Sequence, residues 1–308
     1  MIPVMTQIVD IKELEALVSL VDEPNEDMFD VIRQKILSYG KLAIPVLEDI
    51  WANTIIDDES SRIESIIEEI RQEILITDFN LWGGDNNKDI IEGLIIITKY
   101  FKPDFNDKYY ITLFEKLCRD TWLELNDNLT ALEKIKVLNH VFYRVYNFNS
   151  DDKSALNSDT YFLSGIFDNK TGSNMALGIL YIAVAQKLNI PIYGVDLPGH
   201  FILAYLDSPE NFRFIEEYSE LDVIFYINAS KDGSAFTRNE IRHYISKMKI
   251  EQNEKYYTPC SNLLVYKRLL KELIYSLELE NKHSKSLVLK KLLQELHHPN
   301  NLSESALI

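Results

Sequence analysis

Apolar residues recur at helical spacing through the first half of the chain. Ile11, Leu14, Leu17 and Val18 fall on one stripe, and Ile63, Ile66, Ile67, Ile70 and Ile74 on another, the three-and-four rhythm of helices that bury one face. Pro24-Asn25-Glu26-Asp27 reads as a turn feeding the next helix. Tyr39-Gly40-Lys41-Leu42-Ala43-Ile44-Pro45 reads as a glycine helix end and a restart, since glycine takes the left-handed conformation past a helix and proline fits the first turn of the next. Trp82-Gly83-Gly84-Asp85-Asn86-Asn87 has the composition of a loop. Ile90 to Tyr100 and Leu129 to Tyr146 are further amphipathic helices, the second opened by a capping box in which Glu133 follows Thr130 by three positions. Short helices separated by Gly or Pro turns have the look of helical repeats, although no fixed period is legible.

After the polar stretch Asn147 to Asp159, a long loop and the preferred boundary, the pattern changes. A helix from about Asn174 to Leu188 is stopped by Asn189 and Pro191. Alternation of period two then marks Ile192 to Val195 and Phe201 to Tyr205 as strands joined at Pro198-Gly199. Phe212 to Ile215 and Ile224 to Ile227 are two more strand candidates. Thr237-Arg238-Asn239-Glu240 caps a helix reaching about Met248. Leu263 to Leu277 and Ser284 to Leu296 form an antiparallel helix pair joined by Glu278 to His283. The order predicts an α+β fold in three regions: helical residues 1–146, a mixed core over 147–255, and a helix hairpin with a polar tail over 256–308.

Composition narrows the function. A chain of 308 residues that is 46% hydrophobic can bury a full core. Its net charge of -16, with Lys and Arg interspersed among acids, repels phosphate backbones and argues against nucleic acid. Cys118 and Cys260 belong to no CxxC or Cys/His cluster, which points to a reducing compartment and no zinc site. The start, Met1 to Gln7, lacks a signal-peptide pattern, and the apolar run Leu94 to Ile97 is far too short to span a bilayer. The expectation is a cytoplasmic protein with no membrane partner.

Acyl-transfer chemistry on such a scaffold needs a nucleophile at a helix N-terminus, where free N–H groups and the helix dipole lower a thiol pKa and form an oxyanion site. It needs a His on the facing strand as base, and a carboxylate or amide on the next strand to hold the imidazole. The chain supplies that order: the helix beginning near Asn174, then His200, then Asn228.

Two stretches carry a family resemblance. Lys170-Thr171-Gly172-Ser173-Asn174-Met175-Ala176-Leu177-Gly178-Ile179-Leu180-Tyr181, and Ala185 through Ile190-Pro191 to Pro198-Gly199-His200-Phe201, resemble the SirB-type transglutaminase-like domain. There a Lys/Arg-x-Gly-x-Pro-x-Ser-Leu motif opens the helix, Pro-Gly-His-Phe carries the His, and a later Ile-Asp-Pro-Phe strand precedes a Gly-containing loop. The last element is matched by Ile227-Asn228-Ala229-Ser230, then Asp232-Gly233. The helical first half is similar to the family's N-terminal region, and the hairpin from Leu263 stands where the family carries a TPR-like pair. The resemblance implies a papain-like and transglutaminase-like core, whose active members use a Cys-His-Asp triad.

This sequence departs from the motif at most of its chemical positions. Asn174 stands for the family's Pro, Ala176 for its Ser, Asn228 for its Asp and Ala229 for the following Pro, while His200 matches. A carboxamide is not nucleophilic, and losing a nucleophile alone removes orders of magnitude in rate. The expectation is therefore a degenerate, non-enzymatic member without a cofactor, binding a protein or peptide in a groove shaped for an extended chain. The acidic surface favours a basic partner.

The alternative is a residual peptidase or amidase using Ser173 with His200. Ser173 also reads as an N-cap, Asn228 as a polar strand-end residue, and His200 as a histidine kept for packing or for ligand binding. His297-His298 has no further metal ligand nearby in sequence. Glu216-Glu217 with Glu220 and Asp222 fits no Ca²⁺ loop. Cys118 is expected on a buried helical face, and Cys260 in a more exposed loop without a base.

Overall fold

The computed structural model describes residues 11–54, 57–84, 89–151, 153–207 and 223–296. The chain divides into two compact units, Met1–Leu81 and Trp82–Ile308. The expected boundaries at 146/147 and 255/256 both lie inside the second. Among the described residues there are twelve α-helices and six short strands, an α+β fold.

In the first unit α1 (Ile11–Val18), α2 (Glu26–Leu37), α3 (Ile44–Asn53) and α4 (Asp57–Gly84) surround one core. Leu14, Val18, Ile32, Ile36, Leu47, Ile63, Ile66 and Ile70 are buried in it, with Leu17 and Ile74 packed against it. This core includes Leu14, Leu17 and Val18 of the first stripe and Ile63, Ile66, Ile67, Ile70 and Ile74 of the second. Asn25 caps α2 by accepting the Met28 N–H at 3.1 Å, and Gly40 has φ +54° just beyond that helix.

One loop expectation fails here. Trp82-Gly83-Gly84 continues α4 instead of leaving it. Trp82 is buried, its indole N–H donates to the Asp89 carbonyl at 3.0 Å, and its ring meets Tyr266 edge-on at 4.8 Å. Burying a tryptophan outweighs the propensity cost of two glycines, about 1 kcal/mol each. Asp85 to Asn87 lie outside the described residues, as do the Phe212 to Ile215 strand candidate, the Glu216 to Asp222 acids, His297-His298 and the Met1 to Gln7 start.

The second unit is built around α9 (Asn174–Lys187), which is apolar on every side and buried from Met175 through Ala185. Around it lie α5 (Ile90–Phe101), α6 (Asp107–Glu124), α8 (Leu163–Asn169) and a sheet. A helix with no polar face is a central helix. The sheet is antiparallel, ordered β3 (Ile192–Leu197), β4 (His200–Leu206), β5 (Val223–Asn228) and β6 (Ser234–Phe236). A second, parallel pair joins β1 (Asn149–Ser150) to β2 (Thr171–Gly172). The Asn147 to Asp159 loop is thereby tied to the strand that leads into α9.

The remaining helices are α7 (Ala131–Asn139), α10 (Arg238–Lys247), α11 (Asn262–Leu279) and α12 (His283–Glu295). The expected capping boxes are present at Thr130 with Glu133 and at Thr237 with Glu240. From α7 the chain passes through a wide π turn over His140–Val145. The terminal hairpin is not a separate layer: α11 packs on α9 and β3. Its Tyr266 is fully buried, with a hydroxyl donating to the Ile90 carbonyl at 2.5 Å and a ring lying where a Cβ on Gly93 would come within 2.7 Å.

Candidate functional site

At the start of α9 every polar group that the sequence singles out has an internal task. Ser173 is buried, and its N–H donates to the Thr160 carbonyl at 2.8 Å. Its Oγ accepts the Ala176 N–H at 3.1 Å, which is N-cap geometry with extended backbone at φ -64°, ψ 157°. Asn174, the first helical residue, accepts a hydrogen bond on Oδ1 from the Ser150 hydroxyl. A hydroxyl from elsewhere in the chain does reach the start of α9, and its partner there is a carboxamide.

The His200 side is organised by its neighbour. Phe201 seats its ring between α9 and β3, where a Cβ on Gly178 would lie 2.7 Å and one on Gly194 2.8–2.9 Å from the nearest atoms, the Phe201 ring among them in both cases. Both glycines leave room for that ring. Side chains alternate along a strand. Phe201 and Leu203 therefore face α9, while Ile202 and Ala204 pack with Ile241 and Ile245 of α10. His200 is in phase with the latter pair, and its ring meets Tyr244 of α10 edge-on at 5.0 Å.

The turn before His200 is tightly held. Pro198 is followed by Gly199 at φ +75°, the pattern of a type II turn. A Cβ on Gly199 would come within 2.8 Å of the Tyr244 hydroxyl, and that hydroxyl donates to the Pro198 carbonyl at 3.0 Å. From the other side, Arg268 of α11 donates through Nη1 to Asp196 Oδ1 at 2.5 Å and to the Leu197 carbonyl at 2.8 Å. His200 is itself exposed. Its pKa is nonetheless lowered from 6.5, first by burial against the protein around the ring, then by the positive charges of Lys231 and Arg268.

Asn228 turns elsewhere. Its Oδ1 accepts the Ser230 N–H at 3.0 Å and the Ser230 hydroxyl at 2.7 Å, a local turn that ends β5. The turn beyond is clamped from the π segment: the Tyr143 hydroxyl donates to the Ala229 carbonyl at 2.6 Å. Asn139 Nδ2 donates to the Gly233 carbonyl at 2.9 Å, and the buried Tyr181 hydroxyl donates to Asn139 Oδ1 at 2.8 Å. Among the described residues no hydrogen bond joins His200 to Ser173, Asn174 or Asn228. The scaffold order is present, and the side chains at these positions are not joined to the imidazole.

The comparisons follow from this framework. The transglutaminase-like superfamily matches residues 108–271, more than half of the chain. The chain belongs to this superfamily. The match begins inside α6 and ends inside α11, so the family unit crosses both expected boundaries. Protein SirB1 of Salmonella typhimurium is 24% identical over 162 residues, 50% of this chain and 60% of its own length. A UPF0162 protein of Buchnera aphidicola is 22% identical over 138 residues, 42% of this chain and 51% of its own. F-box only protein 21 of Mus musculus is 21% identical over 211 residues, covering 60% of this chain and 32% of the mouse protein. The SirB1 and UPF0162 relatives support the SirB-type resemblance, and the chain spans about a third to three-fifths of the length of the three relatives. No solved structure matches the chain.

Other candidates are placed as follows. Cys118 is buried on α6, and burial pushes its thiol up to about 12. Cys260 is half-buried instead of loop-exposed, its N–H donating to the Gly194 carbonyl at 2.8 Å. Burial first and Asp196 second push its thiol up to about 12, so it is not a reactive thiolate. Among the described residues no group of three His, Cys, Asp or Glu could hold a metal, and no helix is long and apolar enough to cross a membrane. A cavity of about 250 Å³ lined by Lys102, Asp104, Phe105, Tyr110, Asp159 and Asp168 lies off the site, with no lining residue from β3, β4 or α10. The residues that sequence missed are Ser150, Tyr244 and Arg268. Only Arg268 leaves a local trace, its four-residue spacing to Glu272, which it meets at 3.2 Å.

Proposed function

We propose that this protein is a non-enzymatic member of the transglutaminase-like superfamily, a binding or regulatory module for a protein or peptide that works in the cytoplasm. The reading is carried by one observation: the helix-start positions Ser173 and Asn174 satisfy internal partners, while His200 stands exposed on a braced turn and meets Tyr244. An imidazole without an adjacent nucleophile or an orienting carboxylate has nothing to activate. The retained turn offers a fixed, exposed surface instead. Two free cysteines suit a reducing compartment, and the net charge of -16 favours a basic partner whose affinity falls as salt rises.

The reading is tested by placing a thiol at the helix start. Asn174→Cys puts a cysteine where the helix dipole lowers its pKa, and its alkylation by iodoacetamide is measured with and without His200→Ala. Equal rates are expected, because the imidazole is not coupled to that position. A drop of about a hundredfold or more on removing His200, the size of a positioned base's effect, would restore the hydrolase alternative with Ser173.

A further inference from the structure

The turn carrying His200 is gripped by two helices, and one grip comes from the C-terminal hairpin. Asp196 and Leu197 are the last residues of β3, paired with Phe201 and His200. The Arg268 side chain, 15% exposed, reaches both: Nη1 to Asp196 Oδ1 at 2.5 Å and to the Leu197 carbonyl at 2.8 Å. Nε meets Glu272 Oε1 at 3.2 Å, and the guanidinium stands 5.8 Å from the centre of the Phe201 ring. A planar fork can serve a carboxylate, a carbonyl and a second carboxylate together, whereas an ammonium is a single point charge.

We propose that Arg268 is the positioning residue of the His200 turn: by fixing the end of β3 it sets where the exposed imidazole stands, and it makes α11 a working part of the His200 site. Tyr244 holds the opposite side of the same two-residue turn through the Pro198 carbonyl. The tip is thus fixed by hydrogen bonds to its backbone and to Asp196, and the imidazole takes no part in them. The charged and titratable groups around it are Tyr244 from α10, Lys231 from the turn after β5, Arg268 from α11 and, on the neighbouring strand, Asp196. Burial against the surrounding protein first, and then the two cations, disfavour the imidazolium. This inference does not depend on what the site binds, and its test needs no partner.

The experiment titrates His200 by NMR in the full chain, its signal assigned among the six histidines by its loss in His200→Gln. Arg268→Met is expected to raise the His200 pKa slightly, since burial and Lys231 act ahead of Arg268, and to speed amide exchange across Gly199 to Phe201 by about tenfold, the effect of losing charge-assisted hydrogen bonds. Arg268→Lys keeps the charge without the fork, so the pKa stays low while exchange still accelerates. A folded Arg268→Met chain with unchanged titration and exchange would overturn the proposal. If that variant does not fold, Asp196→Ala removes one acceptor of the guanidinium while keeping the arginine. Faster exchange at the turn supports the assignment, and unchanged exchange sinks it.

Discussion

The helix side and the strand side of the site handle their polar groups in opposite ways. At the start of α9, Ser173 and Asn174 turn their side chains inward to a backbone N–H and to the Ser150 hydroxyl. At the end of the β3–β4 hairpin the backbone is what is held, by Tyr244 and Arg268, while the His200 side chain is exposed. The first arrangement produces a rigid helix start, the second a fixed surface residue. Phe201, packed against Gly178 and Gly194, links the two. One side thus holds its side chains and the other holds its backbone, within the same transglutaminase-like framework.

The link is where the largest effect is expected. Phe201→Ala removes a buried ring and should lower stability by about 3–5 kcal/mol, seen as a fall in the urea midpoint with an unchanged slope. A loss below about 1 kcal/mol would mean that the two sides are held together by other contacts. A smaller effect is expected at the helix start. Ser173→Ala removes the N-cap acceptor and should reduce stability by about 1 kcal/mol. If Ser173→Ala leaves the midpoint unmoved, its hydroxyl has no structural task, and the contrast between the sides weakens.

The smallest effect is electrostatic and sits on the strand side. Because the folded chain lowers the His200 pKa below its ordinary 6.5, the unfolded chain binds the proton first as pH falls. Stability due to this group is therefore complete above about pH 7.5 and declines as pH falls through about 6.5 toward the lower folded value. His200→Gln should lose less stability than wild type between about pH 7.5 and about pH 5.5, measured as the difference in thermal midpoints. Parallel pH profiles would show that neither burial nor the nearby cations lower the imidazole pKa in the folded chain.

Much of this arrangement was legible in the sequence, and the gaps have physical causes. The Pro198-Gly199 turn and its two strands announce themselves by alternation and turn chemistry. Both capping boxes are local, so Thr130 and Thr237 carry their own signal. The α9 helix is found by length and by its proline stop, because a helix buried all round has no stripe. By contrast β6 is only three residues, Ser234–Phe236, and two of them are exposed, too short for any alternation. Trp82 pulls Gly83 and Gly84 into a helix through burial that local composition cannot foresee.

The site divides in the same way. The motif marks His200 and Asn228, but it does not mark the side-chain partner of Asn174 or the arginine that grips Asp196. Ser150 meets Asn174 from 24 positions away, and Arg268 meets Asp196 from 72. Contacts at such separations depend on tertiary packing, for which a single sequence carries no period. The side of the strand to which His200 belongs follows from the packing of Phe201, and so from two glycines on different elements.

The π turn over His140–Val145 acts as a phase adjuster. Its Tyr146 N–H donates to the Val141 carbonyl, five residues back, at 2.9 Å, one more residue than a regular turn holds. Each helical residue advances the chain by about 100°. Shortening this segment by one residue to a regular helix would swing the exit of the chain through about that angle, carrying Ser150 off its approach to Asn174. The length of the π segment thus selects which hydroxyl occupies the helix start.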